Sequence, residues 1–83
     1  MPLYMDVHAH IEGLTADAVA QAHEADMKTQ EPYGVKYLRY WFDEQTGKVF
    51  CLVEAPNKEA AIAVHREAHG LVADEIVEVK EGT

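Results

Sequence analysis

Two groups of histidines give this sequence its chemistry. In "MDVHAHIEG" the residues Asp6, His8, His10 and Glu12 alternate with Met5, Val7, Ala9 and Ile11. A strand sends successive side chains to opposite faces, so the four polar residues share one face. In "HREAH" the histidines His65 and His69 stand four apart. On a helix they lie one above the other, the spacing at which two imidazoles chelate one metal ion. Glu67 cannot serve such an ion as a hydrolytic base, because two residues from His65 it points to the far side of the helix. The pattern also differs from H-E-x-x-H, in which the glutamate adjoins the first histidine. Metal sites draw ligands from more than one element, so the two groups together point to a divalent cation held by Asp6, His8, His10, His65 and His69. The plain alternative makes the pair ordinary members of an amphipathic helix, His65 on the Ala61, Val64 and Ala68 face and His69 beside Ile62.

Other reactive residues read more simply. His23 falls in an apolar helical stripe with Asp26 three residues later, which suits a core histidine bonded to a neighbouring acid or a ligand oriented by that acid. Cys51, in "VFCLV", reads as a small hydrophobe. No glycine-rich phosphate loop is present, and the absence of serine excludes serine nucleophile chemistry. Asp43 and Glu44, like Asp74 and Glu75, read as solvated turn residues.

The elements that position these residues follow from periodicity and punctuation. The first strand runs through "MDVHAHIE", with Leu3, Met5, Val7, Ala9 and Ile11 as an apolar row suited to a core. Thr15 is an N-cap candidate for a helix whose apolar stripe is Ala16, Val19, Ala20, His23 and Met27. Pro32 and Gly34 end it. "VKYLRYWFD" and "KVFCLVEA" have strand composition and the turn "EQTG" between them, which makes a hairpin. Asn57 can cap a second helix, "KEAAIAVHREAHG", closed by Gly70, and a last strand lies in "LVADEIVEVKE". The order β-α-β-β-α-β is the α+β, ferredoxin-like pattern: an antiparallel sheet with both helices on one face. In that topology His10, Glu12, Asp43, His69 and the Asp74–Glu75 loop gather at one end.

Eighty-three residues, with no linker or repeat, read as a single domain over 1–83. A net charge of −8 disfavours nucleic acid and anionic membranes and suits cations. One cysteine, no membrane-length apolar run and no signal-peptide pattern at the start are the features of a cytoplasmic protein. Aromatics fall on both parities of the hairpin strands, and the helix-free sheet face would expose many of them, so a homodimer packed through that face is expected. In that arrangement the polar row of the first strand lines the uncovered face or a cavity within the dimer.

The blocks "MDVH", "AHEAD", "YLRYW", "GKVFCLVEAP" and "VHREAHGL" resemble a family of small bacterial ferredoxin-like proteins, formerly a domain of unknown function. Its best-described members are nickel-binding and dimeric. The resemblance covers nearly the whole chain. It implies a dimer of βαββαβ subunits, nickel at histidine-containing sites, and a role in sequestering or buffering nickel. His8, His23, His65 and His69 fall inside the matching blocks; His10 does not.

Three readings therefore stand side by side. The first is a metal-binding protein using Asp6, His8, His10, His65 and His69, with nickel as the ion and zinc, cobalt and copper as chemically similar candidates. Its affinity would fall as pH drops through roughly 6.5, where free imidazoles take up protons. The second is a cofactor-free monooxygenase or isomerase in the open sheet-face cavity of the dimer, with His8 as base, Asp6 orienting it and Tyr37 or Trp41 as the substrate wall. The third is a small dimer that presents a surface to another protein.

Overall fold

In the computed structural model, which describes residues 1–82, the two predicted caps form. Thr15 Oγ1 accepts a hydrogen bond from the Ala18 amide at 3.1 Å and starts helix α1, Ala16–Thr29. Asn57 Oδ1 accepts from the Ala60 amide at 2.9 Å and starts α2, Lys58–Ala68. Each cap satisfies an amide that the first helical turn leaves free. Asn57→Ala should therefore lower the stability by about 1 kcal/mol, measured as a shifted urea midpoint with unchanged slope.

The strands are β1, Leu3–His8; β2, Lys36–Asp43; β3, Lys48–Glu54; and β4, Glu75–Val79. They form one antiparallel sheet in the order β2-β3-β1-β4, the arrangement expected for the ferredoxin-like pattern. A single 3-10 turn, Glu31–Tyr33, links α1 to β2 and closes at Gly34 with φ +68°. Among the described residues no helix is long and apolar enough to cross a membrane.

The faces of β1 are the reverse of the sequence expectation. Tyr4, Asp6 and His8 are the buried residues, while Leu3, Met5 and Val7 are half-buried. The register explains it. Asp6 pairs with Cys51 and His8 with Val49, and Val49, Cys51 and Val53 form the core-facing row of β3. The polar row thus packs under the helices, and the row Met5, Val7 with Phe50, Leu52, Trp41 and Val77 takes the open face. Alternation in a sequence separates two rows without saying which meets the helices.

The aromatic residues of β2 occupy both parities because the strand is irregular. Tyr37 pairs with Val53 and Arg39 with Leu52, so Leu38 is an extra residue. This bulge keeps Tyr37 and Tyr40 on the helix side and sends Trp41 to the open side. Helix α1 is also turned by about one residue from the expected stripe. Val19 and Asp26 are buried, His23 is half-buried, and Met27 is 52% exposed. The apolar core is small, made largely of valine and alanine with Tyr4, Tyr37 and Cys51, and four polar residues are buried against it: Asp6, His8, Asp26 and His65.

Candidate metal centre

His65 sits in the last turns of α2, against the inner faces of β1 and α1. Its Nδ1 is 2.9 Å from Asp26 Oδ1 and its Nε2 is 3.0 Å from Asp6 Oδ2. One imidazole is thus held between two buried carboxylates from different elements. Tyr37 stacks on the same ring at 4.5 Å between centroids, and its hydroxyl lies 3.1 Å from both Asp6 Oδ2 and the Ala61 carbonyl oxygen. A hydroxyl has one proton, so these two acceptors share it.

Asp26 gathers a second histidine. His69 is the C-cap of α2, and its Nε2 lies 3.0 Å from Asp26 Oδ1. The Leu71 amide donates to His69 Nδ1 at 3.1 Å, which leaves the ring proton on Nε2, directed at Asp26. His8 stands on the other flank, its Nε2 3.4 Å from Asp6 Oδ1, and its ring is 5.3 Å from that of His65. Donor atoms within 4.8 Å of one another form two overlapping groups, Asp26 with His65 and His69, and Asp6 with His8, Cys51 and His65. His65 belongs to both.

The electrostatics follow from burial set against partners. Burial alone would push His65 down, but its bond to Asp26, its close contact with Asp6 and the two negative charges outweigh this and raise it to about 9. Burial would push Asp6 up, yet His65 and then His8 hold it down to about 2. Asp26 is likewise lowered, by His65 and His69 against burial. The metal-free cluster at neutral pH is an imidazolium between two carboxylates. The Cys51 thiol goes the other way, pushed up by burial and by the charge of Asp6; it stays neutral unless a metal ion displaces its proton.

One strained point tests whether the donor set suits a metal. His65 Nε2 is 3.0 Å from Asp6 Oδ2 but makes no aligned hydrogen bond, and Asp6 Oδ1 also lacks a hydrogen-bond partner. Two buried, strongly polar atoms on facing side chains are left with charge attraction only, although such groups are normally satisfied. A cation among Asp6, His8, Cys51 and His65 would satisfy both once it displaced the proton on His65 Nε2.

The inner residues of the site lie within the reach of a family match. The model of the family described as "nickel responsive protein SCO4226-like" matches residues 4–79. The chain belongs to that family. It is also similar, at 40% identity over 98% of this chain and 99% of the other, to the crystal structure of SCO4226 from Streptomyces coelicolor A3(2), with a TM-score of 0.90. No curated protein matches.

In this SCO4226-like chain, Asp6, His8, His65 and His69 come together, and His10 stands apart. β1 ends at His8, and the chain then turns so that His10 Nδ1 donates to the Thr46 carbonyl at 2.9 Å and Nε2 meets Glu12 at 3.1 Å. These contacts, Thr46 first, raise the pKa of the exposed His10. His10 does reach the predicted end of the sheet, where the Ile11 amide bonds the Gly47 carbonyl and Asp74 Oδ2 accepts from the Ala9 amide. His23 is not bonded to Asp26 as expected; it packs on Tyr40 at 4.8 Å, and Asp26 serves His65 and His69 instead.

The cavity next to the cluster is lined by His8, His23, Tyr40 and His65 among others, and so lies on the helix side. This corrects the open-face placement of both the polar row and the enzyme reading. Tyr37 and Trp41 cannot form one substrate wall, because the bulge puts them on opposite faces. Sequence reasoning missed Asp26 as the hub, Tyr37 as a partner of Asp6, and Cys51 as a member of the inner group. The period of "AHEADM" did hold a signal, since Val19, Ala22 and Asp26 share a helical face.

Proposed function

We propose that this protein binds a divalent metal ion, nickel, at the cluster of Asp26, His65 and His69, with Asp6 and His8 as the adjoining donors, and that it holds the ion for sequestration or buffering. The observation that carries this is the convergence of His65 Nδ1 and His69 Nε2 on one oxygen of the buried Asp26 carboxylate. Donor spacing supports it: with metal–ligand bonds of about 2.1 Å, neighbouring ligands at right angles stand about 3.0 Å apart, and His65 Nδ1 and His69 Nε2 lie 2.9 and 3.0 Å from Asp26 Oδ1. Right-angled nitrogen and oxygen donors suit Ni(II) and Cu(II). The family description supplies the choice of nickel, and the Irving–Williams order predicts that Cu(II) binds at least as tightly in vitro.

The ion is cargo in this reading. Asp26 supplies negative charge, His65 and His69 supply imidazole nitrogens, and Tyr37 orients Asp6. Calorimetric titration of the metal-free protein with Ni(II) should give saturable binding. His69→Ala should weaken it by more than the ~10–100-fold that an outer-shell partner contributes. Saturable binding with unchanged affinity in His69→Ala would remove the site from this cluster.

The same reading includes a homodimer through the open sheet face, in a cytoplasmic setting with Cys51 reduced. Met5, Val7, Phe50, Leu52, Trp41 and Val77 form a contiguous apolar surface there, with Trp41 48% and Val77 40% exposed. A patch of that kind marks an interface. Trp41→Glu should convert a dimer to a monomer in sedimentation velocity, and a wild-type sedimentation coefficient of a 9.3 kDa monomer would contradict the dimer.

A further inference from the structure

The atoms left without hydrogen-bond partners, Asp6 Oδ1 and His65 Nε2, both belong to the inner group of Asp6, His8, Cys51 and His65, all buried and with donor atoms within 4.8 Å of one another. Asp6 and His8 share the inner row of β1, Cys51 pairs with Asp6 from β3, and His65 comes from α2. The surroundings of two of these side chains are those of metal ligands. A ligating imidazole gives its other ring N–H to a carboxylate, and a ligating carboxylate is itself hydrogen-bonded. His65 Nδ1 lies 2.9 Å from Asp26 Oδ1, which leaves Nε2 for an ion. Asp6 Oδ2 is 3.1 Å from the Tyr37 hydroxyl, which leaves Oδ1 for the same ion. Spacing separates this group from the outer one. Donors at tetrahedral corners about 2.1 Å from an ion stand about 3.4 Å apart, and His8 Nε2 is 3.4 Å from Asp6 Oδ1. The Asp26 contacts, at 2.9 and 3.0 Å, have the right-angle spacing instead. Charge also balances: a divalent ion that enters in exchange for the Cys51 thiol proton and the His65 Nε2 proton leaves the net charge of the buried cluster, Asp26 included, as it was. His8, Cys51 and His65 line the adjoining cavity, which gives the ion a way in.

We propose that Asp6 Oδ1, His8 Nε2, Cys51 Sγ and His65 Nε2 form a second metal site, a closed tetrahedral one that takes zinc, distinct from the nickel position at Asp26, His65 and His69. Four protein donors of mixed nitrogen, oxygen and sulfur type are the complement of a tetrahedral zinc site, and they need no outside ligand. Asp26 and Tyr37 act here as positioning residues, holding His65 and Asp6. The site does not depend on the nickel reading. A neutral imidazole offers one lone pair, so His65 serves one position at a time, and zinc within excludes nickel without.

X-ray absorption at the zinc edge, on reduced metal-free protein given one equivalent of Zn(II), tests this. The expected shell is one sulfur at about 2.3 Å and three nitrogen or oxygen neighbours at about 2.0–2.2 Å. Cys51→Ala should remove the sulfur and weaken zinc binding by more than the ~10–100-fold that an outer-shell partner contributes. Zinc bound by nitrogen and oxygen alone, or no zinc bound, overturns the site. Nickel titration of the same protein keeps the two readings apart: nickel uptake without sulfur-ligated zinc leaves the nickel reading standing and removes this one, and sulfur-ligated zinc without nickel uptake does the reverse. The zinc spectrum of the natural protein decides the matter without the variant, whose folding therefore does not limit the test.

Discussion

Replacing His65 with leucine is expected to remove about 3–5 kcal/mol from the stability of the metal-free protein at pH 7, the cost of leaving buried charge unpaired. His65 bridges Asp6 and Asp26, at 3.0 and 2.9 Å. Without it the two buried carboxylates lose the partner they share, and Asp26 keeps His69 while Asp6 keeps His8 and the Tyr37 hydroxyl. In a domain of this size the loss is a large share of the total stability and corresponds to a fall in Tm of more than about 12 °C. Urea unfolding at fixed protomer concentration measures it, since a dimer would make the midpoint concentration-dependent. Asp6→Asn and Asp26→Asn added to His65→Leu should recover much of the loss, because the remaining polar groups are then neutral. A triple variant no more stable than His65→Leu would show that packing of the ring, and not charge, is what the single change removes.

The second large effect is on pH. His65 rises from an ordinary value of about 6.5 to about 9 in the folded protein. Its contribution to stability is therefore complete below pH 6.5 and disappears as pH rises through 9, a loss of about 3 kcal/mol at 1.36 kcal/mol per unit. Asp6, lowered to about 2, acts in the opposite sense: its contribution is complete above pH 4 and lost as pH falls toward 2. Metal-free protein should thus be most stable between about pH 4 and 6.5. Metal binding runs against the same proton. A ligand must be deprotonated, so nickel affinity should climb ten-fold per pH unit from 7 to 9, about 100-fold in all. This displaces the window expected from free imidazoles, near 6.5, upward by the shift in His65. Calorimetry at pH 7.5 in two buffers of different ionisation enthalpy should show about one proton released per ion bound. Affinity that is flat above pH 7, with no proton release, would mean that the ion is bound by exposed, normally titrating histidines.

Much of the fold was legible because local chemistry dictated it. Thr15 and Asn57 announced the helix starts, and "EQTG" announced the hairpin. The strand composition of "VKYLRYWFD" and "KVFCLVEA" marked the two arms of that hairpin, β2 and β3. The pairing of Asp6 with His8 on one face was also legible, as was the side-by-side placement of His65 and His69.

The orientation of β1 was not. Its two rows, Tyr4–Asp6–His8 and Met5–Val7, are separated by the alternation, but which row turns inward depends on partners far away in sequence: Asp26 on α1, Tyr37 on β2 and His65 on α2. The bulge at Leu38 was hidden for the same reason, since only the pairing with β3 reveals an extra residue. Asp26 was overlooked because an acid in an apolar stripe looks like an error until its two histidines are in place. Burial of polar groups is worthwhile only when they satisfy one another, and that condition is written in tertiary contacts.

The central claim is that the ion enters the buried cluster, and the most direct measurement is an anomalous difference map from crystals grown with Ni(II), collected at the nickel absorption edge. The account predicts a peak bordered by Asp26 Oδ1, His65 Nδ1 and His69 Nε2. Nickel peaks confined to exposed residues such as His10 and Glu12, with His65 still bridging Asp6 and Asp26, would contradict it.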